Sequence, residues 1–112
     1  MINHLEQDQT HKIHKEFMPR RDMQGDTHGG IINIWTDNHR KNLDKLDGLF
    51  DILAQDALQF EPPLQLTRDM VNVVIFGGLH KKGVLGLEMR VPGGHKVSDS
   101  YNRVHHLEYH LH

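Results

Sequence analysis

The chain reads as an α+β protein: a single small sheet, mixed or antiparallel, with one long helix packed across one face. Three observations point there. Apolar residues recur every three or four positions over about twenty residues mid-chain, which is the period of a helix. Short β-branched runs bounded by glycine or proline stand on both sides of it, as strands do. A chain of 112 residues with 37% hydrophobic content builds one compact domain and no more.

Residues 1–29 are polar. On a helical wheel Ile2, Leu5, Ile13 and Phe17 share one arc and His4, His11 and His14 the other. The segment is therefore expected to be an N-terminal arm or a peripheral amphipathic helix stopped by Pro19. Arg20 to Gly30 is loop by composition. The α+β domain is expected over 30–112 and opens with the strand Ile31–Thr36. Thr36, Asp37 and Asn38 then offer capping side chains for a helix over Arg40–Phe60. Its inner face is Leu43, Leu46, Leu49, Phe50, Leu53, Ala54, Ala57 and Phe60, and its outer face Asp44, Lys45, Asp51, Ile52 and Asp56. Pro62 and Pro63 end it.

Met70–Phe76 is apolar on both faces apart from Asn72, the pattern of a central strand. Gly77–Gly83 reads as a hairpin connection. Val84–Val91 alternates, with Leu85, Leu87, Met89 and Val91 inward and Gly86, Glu88 and Arg90 outward. Pro92-Gly93-Gly94 is a turn. The last segment fits two periods. As a helix, Tyr101, Val104, Leu107 and Leu111 share a face; as a strand, Leu107, Tyr109 and Leu111 point inward and His106, Glu108, His110 and His112 outward. The unbroken alternation favours the strand. The element order is then β-α-β-β-β, with the helix able to join two parallel strands by a right-handed crossover. The outline is similar to ferredoxin-like folds, less their second crossover helix.

Composition narrows the function. With no cysteine, disulfide frameworks and Cys-ligated metal centres are excluded. No apolar run approaches the roughly 18 residues of a membrane span. The first residues lack a signal-peptide layout, so a cytoplasmic location is expected by default. Thirteen Lys and Arg against fifteen Asp and Glu give a net charge of −2, which supplies no positive field for nucleic acid. Arg20-Arg21, Arg40-Lys41 and Lys81-Lys82 are isolated pairs of solvated charge. Ser98 and Ser100 are the only serines and neither sits in Gly-x-Ser-x-Gly. The Gly-Gly pairs at 29–30, 77–78 and 93–94 lack both dinucleotide and phosphate-loop patterns.

Eleven histidines are the unusual feature. Imidazole with carboxylate is a ligand set for zinc or another divalent transition metal. His106 and His110 share a face in either period, with Glu108 between them and His112 beyond; His80 and His95 are the other candidates to complete a site. The same alternation is also what the wet face of an edge strand looks like, so no cofactor is firmly implied. The hairpin, loop and terminal segment resemble the ββα metal-dependent nucleases. That resemblance would make His80 the base, Asn102 its orienter, and His106 and His110 metal ligands on a helix, although the spacings depart from the motif. Tyr109-His110-Leu111-His112 is similar to the His-hydrophobic-His pair of rolling-circle nucleases, in which a tyrosine attacks the phosphate.

The expected function is that of a small soluble binding or regulatory protein without catalysis of its own. It would act as a homodimer, or with a protein partner, through a sheet edge or face. Trp35 and Tyr109 are the aromatic residues placed to anchor a pocket or partner. The alternative is a divalent-metal-binding protein, or a metal-dependent phosphodiesterase or nuclease, using the C-terminal histidines.

Overall fold

A computed structural model describes residues 10–36, 44–76, 84–98 and 100–110. Five strands and one helix follow in the order β1 (Thr10–Arg21), β2 (Thr27–Thr36), α1 (Asp44–Ala57), β3 (Val71–Phe76), β4 (Val84–Val91) and β5 (Val104–His110), with a 3-10 turn at Arg68–Met70 leading into β3. The strands form one sheet in the order β3-β4-β2-β1-β5, and every neighbouring pair is antiparallel. The α+β class and the helix on one face agree with the sequence. The order of elements differs, being β-β-α-β-β-β. The two strands joined through α1 are parallel to each other, but β4 lies between them.

The largest correction concerns residues 10–29; residues 1–9 lie outside the described residues. Thr10–Arg21 is neither an arm nor a helix but a strand of the sheet interior, paired with β2 on one side and β5 on the other. β2, Thr27–Thr36, spans the boundary drawn between residues 29 and 30. Ile13 and Phe17, four apart, lie on one face in either period, so their spacing alone did not discriminate. The deciding position is Lys15 between them, a charged residue that is nonetheless buried. Arg20–Gly30 is correspondingly less loop than its composition suggests. Only Asp22–Asp26 turns the chain between β1 and β2. Pro19, expected to stop a helix, sits where the β1–β2 register shifts, and a bulge tolerates its missing N–H. Its register partner is Gly30; the preceding Gly29 has φ +69°, and a Cβ there would stand 2.2 Å from the Val91 carbonyl oxygen. Any other residue would force β2 and β4 apart at this point.

The core lies between sheet and helix. Ile13 and Phe17 of β1, Ile32 and Ile34 of β2, and Leu87, Met89 and Val91 of β4 meet Leu49, Leu53 and Ala57 of α1. Phe60 and Leu64 extend this layer beyond the helix. Edge-to-face contacts of Phe17 with Phe60 (5.5 Å) and Tyr101 (5.8 Å) close it over the end of β1. The helix is described from Asp44 onward; Arg40–Leu43 lie outside the described residues. Two of its residues face the opposite way from expectation. Asp56 is buried, and Ile52 packs against the core.

β3 is the second positional correction. Its apolar composition suggested a central strand, yet it stands at one end of the sheet. The register places Val73 opposite Leu87 and Ile75 opposite Leu85, on the helix side. α1 packs mainly on β4 and β2. Val73 is 57% and Ile75 70% exposed.

Candidate functional site

β1 exposes its two faces to different surroundings. Lys15 lies on the helix side, where its Nζ donates to Asp56 Oδ1 at 2.8 Å and Oδ2 at 2.7 Å. The Tyr101 hydroxyl donates to Asp56 Oδ2, and Gln59 Nε2 to Oδ1 at 3.3 Å. The Lys15 ammonium also sits 5.1 Å from the centre of the Tyr101 ring. A carboxylate saturated by three donor groups holds β1, α1 and the segment entering β5 together. Burial, reinforced by the hydrogen bond to and negative charge of Asp56, pushes the Tyr101 phenol above its ordinary pKa. A cavity of about 240 Å³ opens beside this cluster, lined by Ile52, Gln55 and Asn102 among others.

On the opposite face no described element covers the sheet. The registers lay out its positions in rows. One row runs Val74, Gly86, Trp35, His14 and His106 across β3, β4, β2, β1 and β5. The next runs Asn72, Glu88, Asn33, Glu16 and Val104. Trp35 is half-buried, and the His14 ring stacks on it at 5.5 Å between centroids and 21° between planes. Asn33, between the two glutamates, encloses its Oδ1 without a hydrogen-bond partner.

Those of the predicted metal ligands that are described fall on β5 and in the turn after β4. His106, Glu108 and His110 belong to β5, whose strand form agrees with the alternation, and their register partners are His14, Lys12 and Thr10. As strand residues four apart, His106 and His110 have Cα atoms roughly 13 Å apart. His95 lies in the turn after β4. Its Nδ1–H donates to the Pro62 carbonyl at 2.7 Å, and its own carbonyl accepts from Gly29 N. It thus ties two connections together at the Gly29 end of the sheet. By register that end lies about five residues along β1 from His14, or roughly 16 Å. Tyr109 stands opposite His11 on β5. His80 and His112 lie outside the described residues. Among the described residues no three His, Asp or Glu side chains gather as a metal site. The helix that the nuclease resemblance requires for His106 and His110 is replaced by β5.

Comparison with protein-family models, with curated proteins and with solved structures returns no match.

Two groups escaped the sequence. Lys15 and Asp56 are 41 residues apart, and each looks like a surface charge until its partner is known. On a helical wheel His14 falls on the polar side, and only the strand register reveals His106 opposite it. A smaller contact, His28 Nε2 with Asp22 Oδ2 at 2.8 Å, ties the start of β2 to the β1–β2 turn. That hydrogen bond is the main cause holding the Asp22 carboxyl below its ordinary pKa.

Proposed function

We propose that the chain is a binding or regulatory module without catalysis of its own, acting as a homodimer whose sheet continues through the outer edge of β3. The observation that carries this reading is the edge itself. Val71-Asn-Val-Val-Ile-Phe76 contains no charge and no proline, and its Val73 and Ile75 are mostly exposed. Solitary edge strands are normally blunted by lysine, proline or a bulge, because their free N–H and C=O groups recruit another strand. None of these devices is present in β3.

Symmetry makes the reading specific. A two-fold axis perpendicular to the sheet pairs β3 with its copy antiparallel and keeps both helices on one side. Positions of like parity then meet, so the Val73 and Ile75 stripes of two chains join on the helix side. There they border a groove of about 370 Å³ between α1 and β3, lined by Leu46, Phe50, Val71, Val73 and Leu87. Burying such side chains stabilises association by about 1.5–3 kcal/mol each.

Light scattering at micromolar concentration tests this. The wild type is expected at the two-chain mass, and Val73→Lys/Ile75→Lys at the one-chain mass with an unchanged circular dichroism spectrum. A monomeric wild type, or a dimer indifferent to both lysines, would overturn the reading.

A further inference from the structure

We propose that the chain carries an anion site, anchored by Arg103, for the phosphate group of a small phosphomonoester. This assigns a ligand to the proposed binding module and rests on that reading, but no residue of β3 takes part, so it is independent of the dimer. Among the described residues two cationic side chains are not exposed, Lys15 and Arg103. Charges withdrawn from water are normally paired. Lys15 is paired with Asp56. Arg103 is half-buried, yet among the described residues its side chain has no hydrogen bond and no ion pair. A guanidinium carries five N–H donors in a planar fork, and what this one lacks is an acceptor.

The fold sets this arginine in a pocket. Phe17 N donates to Arg103 O at 2.7 Å, one step beyond the Glu16/Val104 pair, so residues 17 and 103 oppose each other and share the helix side of the sheet. The β1–β2 turn, the chain leaving α1 and the segment after β4 converge there. Glu61 and Lys96 exchange backbone hydrogen bonds of 2.8 and 3.2 Å, which fix the last two against each other. The pocket is mostly polar and holds about 480 Å³, in the range of small-molecule sites. Arg103, Arg21, Lys96 and Ser98 line it, and so do Glu61 and Asp26. Neither carboxylate forms an ion pair with these cations among the described residues, and three cations against two carboxylates leave the lining positive. Ser98 Oγ lies 2.9 Å from Ser100 Oγ; accepting that bond frees its own proton for a ligand. This donor set selects the anion. A carboxylate offers two oxygens and is satisfied by one fork. A phosphate monoester offers three oxygens and close to two charges, and so can engage the Arg103 fork, a second cation and a hydroxyl together.

Inorganic phosphate is the probe, titrated calorimetrically into the full chain at constant ionic strength. One phosphate per chain is expected, with acetate binding more weakly. Arg103→Gln should lower the phosphate affinity at least about tenfold, the scale of a hydrogen bond to a charged group. Lys96→Gln, at an exposed side chain, should lower it by a smaller factor. Glu61→Gln should raise it, because it removes a like charge from the lining. Arg90→Gln, on the other face of the sheet, should titrate like the wild type. Wild-type affinity in Arg103→Gln, weaker binding in Glu61→Gln, acetate bound as tightly as phosphate, or a wild type that takes up no phosphate overturns the site. Circular dichroism checks the fold of each variant, and if Arg103→Gln fails that check Lys96→Gln and Glu61→Gln carry the test. The heat is read per chain, so a monomeric wild type would sink the dimer and leave this titration valid.

Discussion

β3 and β5 are the outer strands of one sheet, yet they share almost nothing. β3 has no charged residue between Val71 and Phe76, whereas β5 carries three histidines and a glutamate between Val104 and His110. Their anchors differ in the same sense. The chain enters β5 from Tyr101, which is bound into the buried Lys15–Asp56 network. It enters β3 from Arg68, whose ion pair with Asp47 (3.1 Å) is largely solvated and whose guanidinium lies 4.5 Å from the Phe50 ring centre. One edge is polar and tethered from within; the other is apolar and tethered from outside. A polar edge discourages strand addition and can offer ligands, while an apolar edge invites a second chain. The proposed homodimer contact rests on this contrast.

The tethers separate most widely. Asp56→Ala leaves the Lys15 ammonium buried without its carboxylate and should cost about 3–5 kcal/mol in urea unfolding. Next in size is the edge contrast. Two lysines on β3 (Val73→Lys/Ile75→Lys) should raise the dimer dissociation constant at least about 100-fold, roughly 3 kcal/mol. Val104→Lys on β5 should leave it unchanged, as sedimentation can establish.

Tyr101→Phe removes one hydrogen bond to a charged acceptor, worth about 1.5–3 kcal/mol. It should also alter the alkaline limb of stability. The folded state holds this phenol protonated above its ordinary pKa. Its contribution is therefore complete below about pH 10 and is lost as the pH rises beyond it, because the unfolded chain releases the proton first. Urea midpoints between pH 8 and pH 11 should fall less steeply in Tyr101→Phe than in the wild type. Smallest of all, Asp47→Ala at the β3 tether should change stability by no more than about 0.5 kcal/mol, since its ion pair is exposed. An Asp47→Ala loss as large as that of Asp56→Ala would erase the distinction between the two tethers.

Much of this architecture was legible in the sequence, and the exceptions have physical causes. α1 and β4 follow from periodicity because one face of each is buried and apolar, as Leu49, Leu53, Leu87 and Met89 show. β5 follows from its alternation. β1 was hidden because its central inward residue is Lys15, and Asp56 was assigned outward for the same reason. Two charges that neutralise each other across 41 residues break both local patterns at once. β3 reads as a central strand because periodicity reports the polarity of side chains and not what pairs with the backbone. The same limit held for the candidate site. His106 was selected from its alternation, but its register partner His14 depends on a strand that local sequence did not disclose.

The account turns on what occupies the outer edge of β3, and the absence of cysteine from the chain allows a direct measurement. Single cysteines walked through positions 71–76 and oxidised mildly should form an intermolecular disulfide with a sharp maximum at the position on the two-fold axis, and a cysteine at Val104 should form none. Equal cross-linking at Val104, or none at any of the six β3 positions, would contradict the assignment of this edge to a second chain.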